Sequence, residues 1–148
     1  MFTGKSLVAV LVLISAVALA RAEWLTDYEK ALAKAKSENR RVLLDFTGSD
    51  WCPPCIQLNK TVFATKEFRD YADKNIVFVE VDYPKGKRQA AELVEQNEKL
   101  AQQYSIEEKG FPTIVLLDPS GKIIRELSGY SGETTADMIA WIEGKGQE

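Results

Sequence analysis

RVLLDFTGSDWCPPCIQL, residues 41–58, is the stretch that decides the fold. Its first seven residues, Arg41 to Thr47, are largely apolar, as expected of a strand covered on both faces. Gly48-Ser49-Asp50 turns the chain and Trp51-Cys52 leads into a helix, with Pro53 in the first turn, where its missing N–H is tolerated. Cys52 and Cys55 thus lie at a strand-to-helix junction, where a disulfide can open and close without moving the rest of the fold. They are the only 2 cysteines of the 148 residues.

Composition narrows what such a pair can do. The chain has no histidine, and Ile56 stands where haem attachment would require one. A structural zinc site needs four Cys or His ligands, and two are present. A metal site that adds carboxylates, or is shared between two chains, stays open at this point. Cys–His and Ser–His nucleophilic catalysis are excluded, so the chemistry must use sulfur, carboxylates, lysine or backbone groups. Thiol–disulfide exchange is the first reading. A permanently closed structural disulfide is the plain alternative, although so short a loop restrains the unfolded chain little.

Outward from the motif, helical and strand periods alternate. Residues 26–39 read as a helix with Thr26-x-x-Glu29 as its capping box and Leu25, Tyr28, Leu32 and Ala35 at helical spacing. The helix after Cys52 runs towards Tyr71, with an interruption near Phe63-Ala64-Thr65. Residues 76–82 (IVFVEVD) form a second strand, and a loop over 83–87 leads to a long helix ending near Tyr104. The core stripe expected of that helix is Ala90, Leu93, Val94, Asn97, Leu100, Ala101 and Tyr104. Residues 113–118 form a third strand, the Asp118-Pro119-Ser120-Gly121 turn returns an antiparallel fourth over 122–128, and a helix over 134–143 closes the chain. Its inward residues should be Met138, Ile139, Trp141 and Ile142.

The first 22 residues read as a secretory signal: Lys5, an apolar run from Leu7 to Ala20, then Ala20-Arg21-Ala22 before the expected cleavage. The run is short for a membrane span, which needs roughly 18 to 20 residues, so an uncleaved anchor is the lesser reading. Cleavage would leave 23–148 as one domain, with 17 basic against 22 acidic residues. That surface gives no support for nucleic-acid binding, and the cluster Lys85, Lys87 and Arg88 reads as a solvated loop. A periplasmic or secreted monomer is the expectation.

Strand, Trp51-Cys52-Pro53-Pro54-Cys55, helix, strand, helix, then Gly110-Phe111-Pro112-Thr113 opening a strand: the chain resembles the thioredoxin-fold family over essentially all of 23–148. Within it, the chain is similar to exported bacterial thioredoxin-like thiol–disulfide oxidoreductases with an extra helix before the first strand. The resemblance implies an α/β fold with a central mixed sheet of about four strands flanked by helices. It also implies an exposed nucleophile at Cys52, favoured as thiolate by the start of a helix, and a buried resolving thiol at Cys55. Pro53 replaces the glycine of the family's usual Gly-Pro pair and removes a backbone donor near Cys52. Asp50 adds a negative charge that disfavours the thiolate.

Further roles follow from the same resemblance. Pro112 matches the family's cis-proline, whose cis bond removes a donor and turns the adjacent backbone outward so that an extended substrate can pair with it. Trp51, Pro54 and Phe111 supply an apolar rim, and Gly129 matches a glycine that keeps the groove open. Trp51 reads equally as a packing residue and Gly129 as a plain turn glycine. Asp45 matches a buried aspartate that takes a proton from the resolving cysteine. Its usual lysine companion falls on Phe78 here, and the turn before Trp51 is one residue longer than in thioredoxin.

No organic cofactor or metal is required, since the disulfide itself carries two electrons. Partners are expected to be protein thiols or disulfides, with a membrane electron donor as a candidate second. Reduction of protein disulfides is the preferred direction, with oxidase or isomerase action as the near rival. A non-catalytic binding or chaperone module on the same fold, and a copper or zinc carrier, are the readings from other classes.

Overall fold

The computed structural model describes residues 24–145, so the expected signal over 1–22 lies outside the described residues. The 4-stranded sheet has the order β2-β1-β3-β4, with β1 (Arg41–Thr47) parallel to β2 (Ile76–Asp82) and antiparallel to β3 (Thr113–Leu117), which pairs antiparallel with β4 (Ile123–Ser128). This is the thioredoxin fold, with the additional helix α1 (Tyr28–Glu38) ahead of the first strand.

Strand alternation sends residues to two separate cores. Val42, Leu44 and Phe46 of β1 and Val77, Val79 and Val81 of β2 pack under α1 and α4 (Ala91–Gln103). Leu43 and Phe78 pack on the opposite face with α2 (Pro53–Leu58), α3 (Lys66–Asn75) and α6 (Thr135–Glu143). Each fully buried large side chain contributes roughly 1.5–3 kcal/mol. Ahead of α1, Leu25 makes a parallel bridge to Val79, and Trp24 stacks on Phe78 with ring centroids 4.2 Å apart.

Several expectations are corrected. Asp27, one residue beyond Thr26, caps α1, because its extended backbone lets its carboxylate accept from the Lys30 N–H at 2.9 Å. The interruption expected near Phe63-Ala64-Thr65 is present, where a π turn over Asn59–Phe63 ends and Thr65 caps α3 as a fresh start. In α4, Ala90 is the exposed cap and Val94 is 39% exposed, because the first turn overhangs a surface groove rather than the sheet. A short helix α5 (Ile106–Lys109) was not expected; Ser105, at φ 55°, breaks α4 and starts it. Ile139 and Trp141 are half-buried at the edge of the α2-side core.

Candidate functional site

Cys52 is the N-cap of α2, with its N–H on the Gly48 carbonyl at 2.9 Å and its own carbonyl accepting from Ile56 N–H at 3.0 Å. Its Sγ is bonded to that of Cys55, one turn along, with the Cα atoms 5.2 Å apart. The expectation of an exposed Cys52 is corrected for this disulfide state: Cys52 is 3% and Cys55 2% exposed. At that exposure little of the Cys52 sulfur faces solvent.

Two consecutive prolines set the donors at this helix start. They fill both N1 and N2 of α2, so neither of its first two positions carries an N–H. The Ile56 amide is already spent on Cys52 O, which leaves the Cys55 N–H as the free first-turn donor for a Cys52 thiolate. The helix start therefore offers Cys52 two fewer backbone donors than a first turn without proline would.

The turn that carries the motif is pinned to the end of β2. Asp82 Oδ1 accepts from Ser49 N at 2.9 Å and its Oδ2 from Ser49 Oγ at 2.5 Å, and Lys87 Nζ lies 3.4 Å from the same Oδ2. Asn97 Nδ2, from α4, donates to the Asp82 carbonyl at 3.0 Å. Asp50 accepts from the amides of Lys85 and Gly86 at 3.0 and 2.7 Å, and these bonds hold its carboxyl below the ordinary range. Asp82 and Ser49 were not singled out from the sequence, and Asn97 was expected only as part of the α4 core stripe. A lone aspartate closing an apolar strand was the available signal.

Trp51 proves to be both a packing and a rim residue. Its Nε1 donates to Tyr83 O at 2.7 Å, and its ring lies so close over Gly48 that a Cβ there would come within 2.5 Å. The ring meets Phe111 edge-on at 5.7 Å, and Lys85 Nζ sits 4.0 Å from its centroid. Trp51, Phe111, Tyr83 and Val94 line a groove of about 650 Å³ beside the motif. Pro54 is exposed on the rim.

The Phe111–Pro112 peptide bond is cis, and Pro112 is buried with its carbonyl accepting from Gly129 N–H at 2.8 Å. Gly129 has φ 81°, which accounts for glycine there; a Cβ would meet nothing within 4 Å.

Asp45 is 6% exposed and its Oδ1 has no hydrogen-bond partner. Burial pushes its carboxyl well above the ordinary range, and the charges of Glu80 and Asp82 push it further. Its register partner on β2 is Glu80, while Phe78 pairs with Leu43. Asp45, Cys55 and Glu80 line one small cavity under α2. The arrangement thus places a redox-active thiol pair over a buried carboxyl, the elements of dithiol–disulfide exchange.

Fold and site together define a thiol–disulfide oxidoreductase of the thioredoxin type. The chain belongs to the thioredoxin-like domain family, whose model matches residues 28–144. The disulfide bond reductase DsbH of Chlamydia pneumoniae is 36% identical over 116 residues, 78% of this chain and 68% of that protein. The thioredoxin-related protein DsbJ of the same organism is 32% identical over 115 residues, 78% of this chain but 32% of DsbJ. A solved structure of a DsbH oxidoreductase superposes with a TM-score of 0.76 at 30% identity, covering 96% of this chain and 93% of that one.

Proposed function

We propose that this protein is an exported reductant of protein disulfides. Cys52 attacks the substrate disulfide, releases one substrate thiol and forms a mixed disulfide. Cys55 then gives its proton to Asp45 and attacks Cys52 Sγ, which releases the second substrate thiolate and closes the Cys52–Cys55 disulfide. Phe111, Trp51 and Pro54 form the apolar rim, the cis bond at Pro112 turns the adjacent backbone towards an extended substrate, and Gly129 keeps the groove open. Two electrons per cycle must return from a donor thiol, for which a membrane protein is the proposed source. Export to the periplasm or cell exterior rests on the leader pattern over 1–22, and a monomer is the proposed state.

The direction of flow is carried by one observation: Pro53 and Pro54 strip the first turn of α2 of two amides. A thiolate with fewer donors is less stabilised, and a less stable reduced form makes the couple more reducing. Similarity to a protein named as a disulfide bond reductase supports the same direction. Equilibration in thiol buffers, read by tryptophan fluorescence, tests it. A potential near roughly −270 mV is expected; one near about −120 to −180 mV would make the protein an oxidant or isomerase.

A further inference from the structure

Where the β1–β2 pair meets α2, the fold leaves a polar cavity of about 80 Å³ that Asp45, Cys55 and Glu80 line together with Thr47, Ser49 and Asn59. Asp45 and Glu80 are direct partners in the parallel register, so strand alternation projects both to this side. Asp45 is enclosed, with Oδ1 unpartnered, whereas Glu80 is only half-buried and so reaches solvent. The space suffices for ordered water to bridge the two carboxyl groups.

We propose that Glu80 is the outer station of a proton path running from Cys55 through Asp45 to solvent. The inference rests on the resolving role of Cys55 and the proton-accepting role of Asp45 proposed above. In the resolving step the Cys55 S–H bond breaks, its proton passes to Asp45, and the new S–S bond to Cys52 forms as the substrate S–S bond breaks. Asp45 must then lose that proton before the next cycle. The other ionisable groups in the cavity are Cys55, which gave the proton, and Glu80.

The surrounding charges suit such a station. Asp45 faces Glu80 from β1 and Asp82 lies on its own strand, while Arg69 from α3 and Lys87 from the following loop draw negative charge onto it. Burial and the Asp82 charge raise Glu80 above its ordinary range, which brings it nearer to Asp45 in proton affinity. Glu80 also acts on Asp45 directly, because its negative charge helps hold the Asp45 carboxyl in its protonated form. Glu80 is therefore a positioning residue, working on the thiol through Asp45.

The test separates attack from resolution in the reduced full-length chain. Reaction with 5,5′-dithiobis(2-nitrobenzoate) releases one nitrothiobenzoate as Cys52 attacks and a second as Cys55 resolves. Both phases are followed by stopped flow over about pH 5 to 9 in wild type, Glu80→Gln, Glu80→Asp and Asp45→Asn. In Glu80→Gln the acid limb of the second phase should move down by about 0.5 pH unit or more, because the charge that raises Asp45 is gone. Its plateau rate should fall about threefold or more, with the first phase unchanged and most of the rate restored in Glu80→Asp. A wild-type second phase in Glu80→Gln alongside a slow one in Asp45→Asn overturns the Glu80 path alone, even if Tm has shifted. A wild-type second phase in both variants overturns the Asp45 role beneath it, and a wild-type protein with no second phase overturns the resolving reading itself.

Discussion

The two faces of β1 and β2 are built from the same strands and end differently. Towards α1 and α4 the apolar rows continue to the strand ends, through Val42, Leu44 and Phe46 and through Val77, Val79 and Val81. Towards α2 the rows begin alike with Leu43 and Phe78, then change to Asp45, Thr47, Glu80 and Asp82. The polar pair on the first face, Tyr28 and Tyr104, is closed by a hydroxyl–hydroxyl bond of 2.8 Å. On the second face the Asp45 Oδ1 is buried and unpartnered. One face is packed for stability; the other sacrifices some of it to keep carboxyl groups beneath the sulfurs.

The comparison breaks most visibly if truncation of the packed face does not destabilise. Phe46→Ala removes a fully buried ring from the α1–α4 side and should cost about 3–5 kcal/mol in denaturant unfolding. A loss under about 1 kcal/mol would mean that this core is loose enough to collapse around the gap.

The polar face should respond with the opposite sign. Burial holds the folded Asp45 carboxyl above its unfolded value, so folding favours the protonated form. Well below about pH 4 the group is protonated in both states and penalises neither. As pH rises through the raised folded value, the native state loses stability, and above that value the loss is complete. Asp45→Asn should therefore match wild type in acid and exceed it in stability at alkaline pH, in chemical melts of the oxidised protein. Equal slopes for both proteins would show that water solvates the carboxylate and that the two faces do not differ as argued.

How much of this could be read from residues alone follows from the same contrast. Strands 41–47 and 76–82 were legible because burial on both faces leaves a continuous apolar run. The Cys52–Cys55 pair and Pro112 were legible because local motifs carry them. Glu80 was not, since only the parallel register sets it opposite Asp45. The same holds for Asp82 on Ser49, a contact between a strand end and a turn far away in sequence. The double loss of amides at Pro53 and Pro54 needed the position of the cap, because it depends on Cys52 being the N-cap itself. Ala90 and Val94 misled because helical spacing names a face without saying whether anything covers its first turn.

The smallest expected effect sharpens the contrast furthest, because it concerns polar groups on the packed side. Tyr28 and Tyr104 are both buried, and burial followed by their mutual bond raises the Tyr104 hydroxyl above its ordinary range. Tyr28→Phe removes one oxygen and leaves the Tyr104 hydroxyl without the partner it has here. The cost should be about 1–2 kcal/mol, the net bond plus the stranded donor. Adding Tyr104→Phe removes the stranded group as well, so the double variant should recover part of that loss. Neither change alters the charge around the sulfurs, so the reduction potential should stay at its wild-type value. A double variant no better than Tyr28→Phe would show that the hydroxyl pair is not coupled. A satisfied polar pair loses stability when cut, whereas the unpartnered Asp45 gains it, and that difference in sign distinguishes packing from chemistry in this fold.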